Sequence, residues 1–368
     1  MSSGKAARER LDLLRLYGAL PFHQARKLLK SCATASRAWR RYPEWPLLGV
    51  DQAVWLAAKS FTRSWAGSVL QRLEQAGIRV VLPSMAGYPR ALAAIEAPPP
   101  LLFIRGEWRP MDEGAVSIVG TRRPTPYGEG VAAELAAALA REGVTVVSGL
   151  ARGIDAAAHR AALEAGGRTV AVMGTGPDRI YPPEHRELAR AIEAHGALIT
   201  EYPPGTPPAP YAFPHRNRII AALGLVTVVV EAGARSGALI TARLADELSR
   251  PVYAVPGPIG RPQSVGCHRL IQDGACLLAS VEELLELVRE RRGQGAVQGR
   301  LPGLGHPEPA PADPQGWLLR HLDQEPRTAE ELALRCGADV GAVQAGLTLL
   351  ELRGLALRVG GRFWRRGW

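Results

Sequence analysis

The feature that most constrains the fold is an alternation, from residue 78 onward, of short apolar runs with longer stretches rich in Ala and Leu. The apolar runs are Ile78–Leu82, Leu101–Ile104, Val116–Val119, Val144–Val147, Thr169–Met173, Ala197–Thr200, Val226–Val230 and Val252–Val255. Helical spacing is found over Gly130–Arg141, Ile154–Ala165, Glu184–Ala194 and Ala238–Leu248. Continuously apolar strands need cover on both faces, so this pattern predicts an α/β domain with a parallel sheet and right-handed crossovers.

The sequence predicts a helical domain before this pattern and a linker after it. Residues 1–77 have apolar residues at helical spacing, Asp51 and Thr62 at capping positions, and Gly77 where a helix would end. The α/β domain would cover residues 78–290 and end with a helix over Val281–Arg289. Residues 291–313 are rich in Gly, Pro and polar groups, a composition that predicts a linker.

Residues 314–368 predict a third folded part with three helices and a hairpin. Thr328 and Glu331 form a capping-box pattern, and Asp339 can cap the next helix. The predicted elements are a helix over Trp317–Asp323, a helix after Thr328, a helix holding Val343, Leu347, Leu350 and Leu352, and strands Leu355–Val359 and Arg362–Arg365 around Gly360-Gly361. This order is that of a winged helix, in which the third helix is the recognition helix.

The net charge of +10 is concentrated at the two ends of the chain. Residues 1–41 contribute +8 and residues 353–368 contribute +5, so the middle of the chain is slightly acidic. Codon bias explains why only four of the 45 basic residues are Lys, but it does not explain the scarcity of acids at both ends. Separate basic segments favour a polyanionic partner.

Cysteine spacing and hydropathy exclude several classes of protein. The four cysteines, Cys32, Cys267, Cys276 and Cys336, form no CxxC pair, so we predict neither a zinc site nor a disulfide framework. No apolar run has the roughly 18–20 residues of a membrane span, and the first residues lack the apolar stretch of a signal peptide. We therefore expect a cytoplasmic protein without membrane association.

The first strong strand-to-helix turn runs from Ser117 to Pro124 and contains Gly120, Thr121 and Arg122. A dinucleotide fingerprint would begin at Gly120, but Arg122 stands where the second glycine must let the backbone approach a pyrophosphate. The sequence therefore argues against NAD or FAD, and we predict no cofactor. An arginine beside a helix N-terminus still suits a phosphate, although a surface arginine is the simpler alternative.

The second turn, between Ser148 and His159, predicts another helix start with free backbone N–H groups. Asp155 and His159 are four residues apart and can share one face of the helix. They could be an acid/base pair. We favour a structural role because neither a nucleophile nor a metal-binding cluster accompanies them.

The third and fourth features combine aromatic, basic and small residues at helix starts. The run FPHRNR places Phe213, Arg216, Asn217 and Arg218 in one segment, and aromatic plus Arg is the composition that stacks on unpaired bases while binding phosphate. A core position is the alternative for Phe213. A strand ending at Glu231 leads through small residues into a helix that starts near Ser236-Gly237. All these turns should meet at the carboxyl edge of the sheet, where ligands of open α/β sheets bind.

Six collinear runs in residues 115–280 resemble the DNA-processing protein DprA (Smf) family. They are VGTRRPTPYG, SGLARGIDAAAH, GTGPDRIYPPEH, FPHRNRIIA, EAGARSGALITARLA and VPGPIGRPQSVGCHRLIQDGA. The resemblance implies an extended Rossmann-like fold with an N-terminal helical (SAM-like) domain and a C-terminal winged helix. It also implies a homodimer without known catalytic activity that binds single-stranded DNA and loads the RecA recombinase in natural transformation, with single-strand-binding protein as a further partner.

The resemblance also assigns DNA-binding residues position by position. The Gly-Ser/Thr-Arg motif falls on Gly120, Thr121 and Arg122. The other matching positions are Phe213, Arg216 and Asn217, with Arg218 beside them, and Ser236 and Gly237.

Two other functions compete with this interpretation. A nucleotide phosphoribohydrolase of the lysine-decarboxylase-like (LOG) family would need a PGGxGTxxE-like run, but Arg235 lies inside the corresponding turn and position 245 is Ala245 where a Glu is required. A duplex-binding regulator built on the winged helix would explain the C-terminal arginines but not the turns at the sheet edge. We therefore expect a single-stranded DNA binder with no catalytic residues and no metal.

Overall fold

The computed structural model describes residues 3–299, 328–336, 340–352, 356–359 and 362–365. The chain forms two compact units, Met1–Gly295 and Ala296–Trp368. Within the described residues, no helix combines the length and the apolar character needed to cross a bilayer.

Five α-helices and two short 3₁₀ segments, Tyr42–Leu48 and Ala58–Ser60, precede the sheet. The helices are α1 (Ser3–Ala19), α2 (Phe22–Cys32), α3 (Ala35–Arg40), α4 (Gln52–Ala57) and α5 (Arg63–Gln75). The predicted caps are confirmed. The Asp51 carboxylate accepts from the N–H of Ala53 at 2.9 Å, and the Thr62 hydroxyl accepts from the N–H of Trp65 at 3.1 Å. Gly77 follows the end of α5 and has a φ of +71°, a left-handed conformation that favours glycine.

Nine strands form one sheet in the order β1-β2-β6-β5-β4-β3-β7-β8-β9. They are β1 (Ile78–Val81), β2 (Leu102–Gly106), β3 (Val116–Val119), β4 (Val146–Ser148), β5 (Thr169–Val172), β6 (Ala197–Thr200), β7 (Val226–Val229), β8 (Val252–Ala254) and β9 (Cys276–Leu277). The strands β6, β5, β4, β3, β7, β8 and β9, in their order across the sheet, are parallel to one another, as predicted. Strand β2 pairs antiparallel with both β1 and β6. The chain reverses its direction of travel across the sheet between β3 and β7, and this is the position where open α/β sheets bind ligands.

The helices that connect the strands cover both faces of the sheet. They are α6 (Arg90–Ala93), α7 (Pro126–Arg141), α8 (Ile154–Glu164), α9 (Arg186–His195), α10 (Ala212–Leu223), α11 (Gly237–Glu247), α12 (Val265–Gln272) and α13 (Val281–Gly299). Side chains of α7, α8 and α13 form one buried cluster with β3, β4 and β7, and those of α10 and α11 form another on the opposite face. The α/β class with a predominantly parallel sheet is confirmed. Helix α13 extends beyond its predicted end into the segment expected to be a linker.

The N-terminal helices share a hydrophobic core with the first two strands. Leu13, Leu28 and Trp45 are buried in the same cluster as Leu101 and Phe103. The predicted domain boundary at residues 77 and 78 therefore crosses continuous packing, and separate domains on either side of it stay a prediction.

The C-terminal unit contains α14 (Ala329–Cys336), α15 (Val340–Leu352) and an antiparallel pair, β10 (Ala356–Val359) with β11 (Arg362–Arg365). The capping box is confirmed: the N–H of Thr328 donates to Glu331 at 2.9 Å, and the N–H of Glu331 donates to the Thr328 hydroxyl at 3.2 Å. The predicted helix Trp317–Asp323, the Asp339 cap and the Gly360-Gly361 turn lie outside the described residues.

Candidate nucleic-acid interface

The turns that follow β3, β4 and β7 meet the start of α10 around a cavity of about 680 Å³ at the carboxyl edge of the sheet. Of the predicted site residues, eight line it: Gly120, Thr121, Arg122, Phe213, Arg216, Asn217, Ser236 and Gly237. The cavity is also lined by Asp155, Tyr181, Pro208 and Arg235, which were not among the predicted site residues. The sequence motifs are therefore brought together as expected.

Glu231 holds the turn after β3 in place from the end of β7. Its buried carboxylate accepts from the Thr125 hydroxyl at 2.6 Å and from the Thr125 N–H at 2.9 Å. Its carbonyl oxygen accepts from the N–H of Thr121 at 2.7 Å. The Thr125 hydroxyl also caps α7 by accepting from the N–H of Gly128 at 3.2 Å. The turn carrying Arg122 is thus fixed to the strand that leads into the Ser236 turn.

Gly120 is required by packing in this turn. A Cβ at this position would lie 2.5 Å from Cγ1 of Ile154 and 3.0 Å from the carbonyl oxygen of Glu231. Gly153 has a φ of +75°, and a Cβ there would collide with the carbonyl oxygen of Thr121. Because of these two glycines, the turns after β3 and β4 can lie against each other, and Thr121 O accepts from the N–H of Ile154 at 3.2 Å.

Arg122, Phe213 and Tyr181 form an exposed aromatic and basic surface. The Phe213 ring lies on the backbone at Gly174, where a Cβ would be 2.9 Å from the ring, and it is half-buried. The guanidinium carbon of Arg122 is 5.5 Å from the Phe213 ring centroid, and the Tyr181 ring centroid is 5.4 Å from it. Arg122 is exposed and makes no ion pair with a carboxylate of the described chain. This arrangement combines a partly exposed aromatic ring with an exposed guanidinium that has no carboxylate partner in the described chain.

Arg216 lies beneath this surface and is 3% exposed. Its Nη1 donates to the carbonyl oxygen of Gly149 at 2.6 Å and to that of Val172. Burial lowers the pKa of Arg216 to about 10, and the neighbouring Asp155 partly offsets this effect. The Arg216 side chain therefore joins α10 to the ends of β4 and β5 by hydrogen bonds. Its buried guanidinium forms part of the floor of the cavity.

Asp155 and His159 are both buried, which supports the structural interpretation of this pair. The Asp155 carboxylate accepts from the N–H groups of Gly149 and Ala151 at 3.1 and 3.3 Å. Burial raises its pKa, against the opposing effects of the Arg216 charge and these N–H groups. Nδ1 of His159 is 2.6 Å from the hydroxyl of Thr169. In the described chain, no cluster of His, Cys, Asp and Glu has the makings of a metal site.

Asn217, Ser236 and Gly237 form the opposite wall. The Asn217 amide donates to the carbonyl oxygen of Gly237 at 3.2 Å, and the Ser236 hydroxyl caps α11 by accepting from the N–H of Ala238 at 3.3 Å. A Cβ at Gly237 would meet only open space, so packing does not require glycine there. The exposed Arg235 beside it lies inside the same turn, but the sequence motifs do not predict it as a site residue. Its position in a turn at the sheet edge is the sequence signal that could have identified it.

Arg218 does not line the cavity. On a helix it lies about 140° around the axis from Phe213, so it projects away from the face that Phe213 and Asn217 present to the site. Its Nη2 is 2.5 Å from the Glu201 carboxylate, and its Nη1 donates to the carbonyl oxygen of Ala97 at 3.0 Å. The expectation that Arg218 reaches the same ligand as Arg216 and Asn217 does not fit this geometry, because its charge is used inside the fold.

Glu201 also binds two other residues on this side of α10. His215 Nδ1 is 3.0 Å from one Glu201 oxygen, while Arg26 of α2 donates to His215 Nε2 and lies 3.8 Å from the other oxygen. Burial raises the pKa of Glu201, but His215, Arg218 and Arg26 together more than offset it, so the pKa is lowered. This cluster joins α10 to the N-terminal helices.

The fold and the cavity define an open α/β protein with a basic, aromatic-lined cavity at the switch point of its sheet. A sequence model described as DNA recombination-mediator protein A matches residues 79–289, and one described as the DprA winged helix domain matches residues 303–362. The chain belongs to the DNA recombination-mediator protein A (DprA/Smf) family. The C-terminal winged helix predicted from the sequence is thereby confirmed.

Several relatives show how much of the chain this similarity covers. Protein Smf of Escherichia coli is 39% identical, over 83% of this chain and 82% of its own length. The putative DNA processing protein DprA of Mycobacterium tuberculosis is 44% identical, over 68% of this chain and 64% of its own length.

Solved structures show the same fold. DprA from Streptococcus pneumoniae matches with a TM-score of 0.64 and 33% identity, over 75% of this chain and 97% of that structure. DprA from Helicobacter pylori, a structure described by its single-stranded DNA binding mode, matches with a TM-score of 0.53 and 28% identity, over 58% of this chain and 96% of that structure.

Proposed function

We propose that the cavity binds single-stranded DNA, with Phe213 stacked on a base and Arg122 on an adjacent phosphate. The observation that carries this proposal is the pairing of an exposed, uncompensated guanidinium with a half-buried aromatic ring 5.5 Å away, in a cavity at the switch point. The reported single-stranded DNA binding of the Helicobacter pylori relative supports it.

The geometry favours an unpaired base over a duplex. The half-buried Phe213 ring has Gly174, Tyr181 and the Arg122 guanidinium as neighbours, and a base that is paired and stacked within a duplex has no face free to stack on such a recessed ring. Aromatic stacking of this kind contributes about 1–3 kcal/mol per base and does not depend strongly on base identity.

The role we propose for the cavity is binding without catalysis. Asp155 is engaged by two backbone N–H groups, His159 is buried, and Glu231 is held by Thr125. These groups therefore serve to position the turns around the ligand.

We extend this proposal to the biological role suggested by the family. The protein would act as a homodimer that protects incoming single strands and loads RecA on them in natural transformation, alongside single-strand-binding protein. The cytoplasmic location belongs to the same proposal.

The experiment that tests the site is a salt series with single-stranded and duplex oligonucleotides of one sequence. Wild-type protein should prefer the single strand. Arg122→Ala should weaken single-strand binding and make the salt slope shallower by about 0.7, the contribution of one phosphate contact.

Arg141→Ala is the matched control, because Arg141 is an exposed arginine in the last turn of α7. It should leave affinity and slope unchanged. Unchanged affinity and slope in Arg122→Ala would remove Arg122 from the site.

A further inference from the structure

A second cavity, of about 410 Å³, adjoins the first and is strongly basic. Four arginines line it: Arg105 from β2, Arg179 from the loop after β5, and Arg186 and Arg190 from α9. Tyr181 and Pro208 line both cavities. The two cavities therefore share a wall.

The four arginines differ in how far their charges are compensated. Arg105 is 2.5 Å from the Glu193 carboxylate, and Arg179 is 3.9 Å from Asp178. Neither Arg186 nor Arg190 forms an ion pair with a carboxylate of the described chain. Two positive charges at this cavity are thus available to an external anion.

Helix α9 presents these two side chains side by side. Arg186 and Arg190 are four residues apart, so they are neighbours on one face of the helix, about 6 Å apart along its axis. Both are exposed, whereas Ala189 and Ile192 are buried and fix the helix to the protein. Of the nearby acids, Glu187 is three residues before Arg190 but forms no ion pair in the described chain, Asp178 lies beside Arg179, and Glu184 is engaged by Arg152.

The geometry points to a second phosphate-binding subsite, formed by Arg186 and Arg190, for the DNA strand that leaves the first cavity across Tyr181. This inference rests on the proposed function. Guanidinium groups bind phosphate oxygens through paired N–H donors, and an exposed tyrosine between two basic cavities offers a surface for an intervening base. Tyr181 is 38% exposed and its ring already lies next to Phe213, which makes the aromatic surface continuous.

The test compares two oligothymidylates, one of about 4 and one of about 16 nucleotides, the range of lengths that single-strand-binding folds cover. The double variant Arg186→Ala/Arg190→Ala should bind the longer oligonucleotide about tenfold more weakly, with a salt slope shallower by about 1.4, since two phosphate contacts are lost. Its affinity for the short oligonucleotide, which fits the first cavity alone, should be that of wild type.

The control is Arg72→Ala/Arg141→Ala, which removes two exposed arginines from the last turns of α5 and α7. It should match wild type with both oligonucleotides. Wild-type affinity and slope of the α9 variant for the longer oligonucleotide would overturn the subsite, as would an equal loss for both lengths. Failure of the proposed function looks different, because wild-type protein would then bind neither oligonucleotide.

Discussion

The two faces of α10 place similar residues in opposite environments. One face carries Phe213 and Asn217 to a solvent-filled cavity, where Arg122 stands opposite them without a counter-charge in the described chain. The other face carries His215 and Arg218 to the buried carboxylate of Glu201. A single six-residue motif therefore contains both ligand-facing groups and groups that hold the fold together.

Counter-charge, more than residue type, separates the arginines that we propose to bind DNA from those that hold the fold together. Glu201 is fully buried and shared among Arg26, His215 and Arg218, so the two guanidinium charges are already satisfied. Arg122 and Arg235 are exposed and form no ion pair within the described residues. Only an exposed arginine without a carboxylate partner gains a new ion pair when it binds a phosphate.

The largest effect expected from breaking this arrangement is on stability. Glu201→Gln removes the only carboxylate of the cluster and leaves largely buried cations unpaired, so the free energy of unfolding should fall by about 3–5 kcal/mol. Denaturant unfolding measures it. Single-strand affinity per folded molecule should stay at its wild-type value, because Glu201 does not line the cavity.

The control is Glu142→Gln, which removes one partner of the exposed ion pair with Arg289 at 2.8 Å. It should cost about 1 kcal/mol or less. An equally small loss in Glu201→Gln would mean that the cluster does not hold α10 in place.

The complementary change is Phe213→Leu on the cavity face. Apolar bulk is retained, so stability should change by less than about 1.5 kcal/mol. Single-strand affinity should fall by about 1–3 kcal/mol because most of the π-face is lost. Thermal melting and oligonucleotide binding are measured on the same sample.

Phe61→Leu is a matched control, since Phe61 is a half-buried aromatic residue packed on Trp65 in the N-terminal helices. It should not alter DNA binding. A large drop in melting temperature with normal binding would return Phe213 to a core role.

A comparable effect is expected from acid, through the buried His159 of α8. The Thr169 hydroxyl donates to the carbonyl oxygen of Val146, so His159 Nδ1 must be the donor to that hydroxyl, and Nε2 is left without a partner in the described chain. Burial lowers the pKa of His159 from 6.5 to about 3. The folded protein therefore binds fewer protons than the unfolded chain, and this contribution to stability is complete above pH 6.5 and lost as pH falls.

His159 alone should contribute a slope of about 1.4 kcal/mol per pH unit below pH 6.5, measured by unfolding between pH 6.5 and 4.5. His159→Gln should flatten the slope in this range relative to wild type. Asp155 contributes a slope of opposite sign, but it is present in both proteins, so its contribution cancels in the comparison. The exposed His195→Gln is the control. An identical slope in wild type and His159→Gln would contradict the assignment.

The smallest effect is expected from removing residues 314–368. All cavity residues belong to the compact unit Met1–Gly295, so single-strand affinity should be unchanged while any duplex affinity decreases. Gel-shift titrations with both substrates measure the two effects. If the truncated protein is folded but no longer binds single strands, the main binding site depends on residues 314–368 and not on the cavity alone.

The motifs predicted the cavity well because the topology of parallel strands brings their carboxyl ends together. The sequence did not reveal the antiparallel pairing of β2, since its apolar run resembles those of the parallel strands. The motif also predicts a ligand contact for Arg218 that the structure does not show, although its position about 140° around the helix from Phe213 was a usable signal. The burial of Arg216 depends on the carbonyl oxygens of Gly149 and Val172, which come from distant strands, so no local pattern could predict it.

The shared core of the N-terminal helices and the sheet has a consequence for proteolysis. Leu101, just before β2, and Phe103 within it are buried in one cluster with side chains of α1 and α2, and Arg26 of α2 donates a hydrogen bond to His215. A protease cut in the turn at Ala76–Gly77 would therefore leave two fragments that stay associated through apolar contacts. A fragment beginning at residue 78 on its own would expose that apolar face, which is the property of a chain that self-associates in solution.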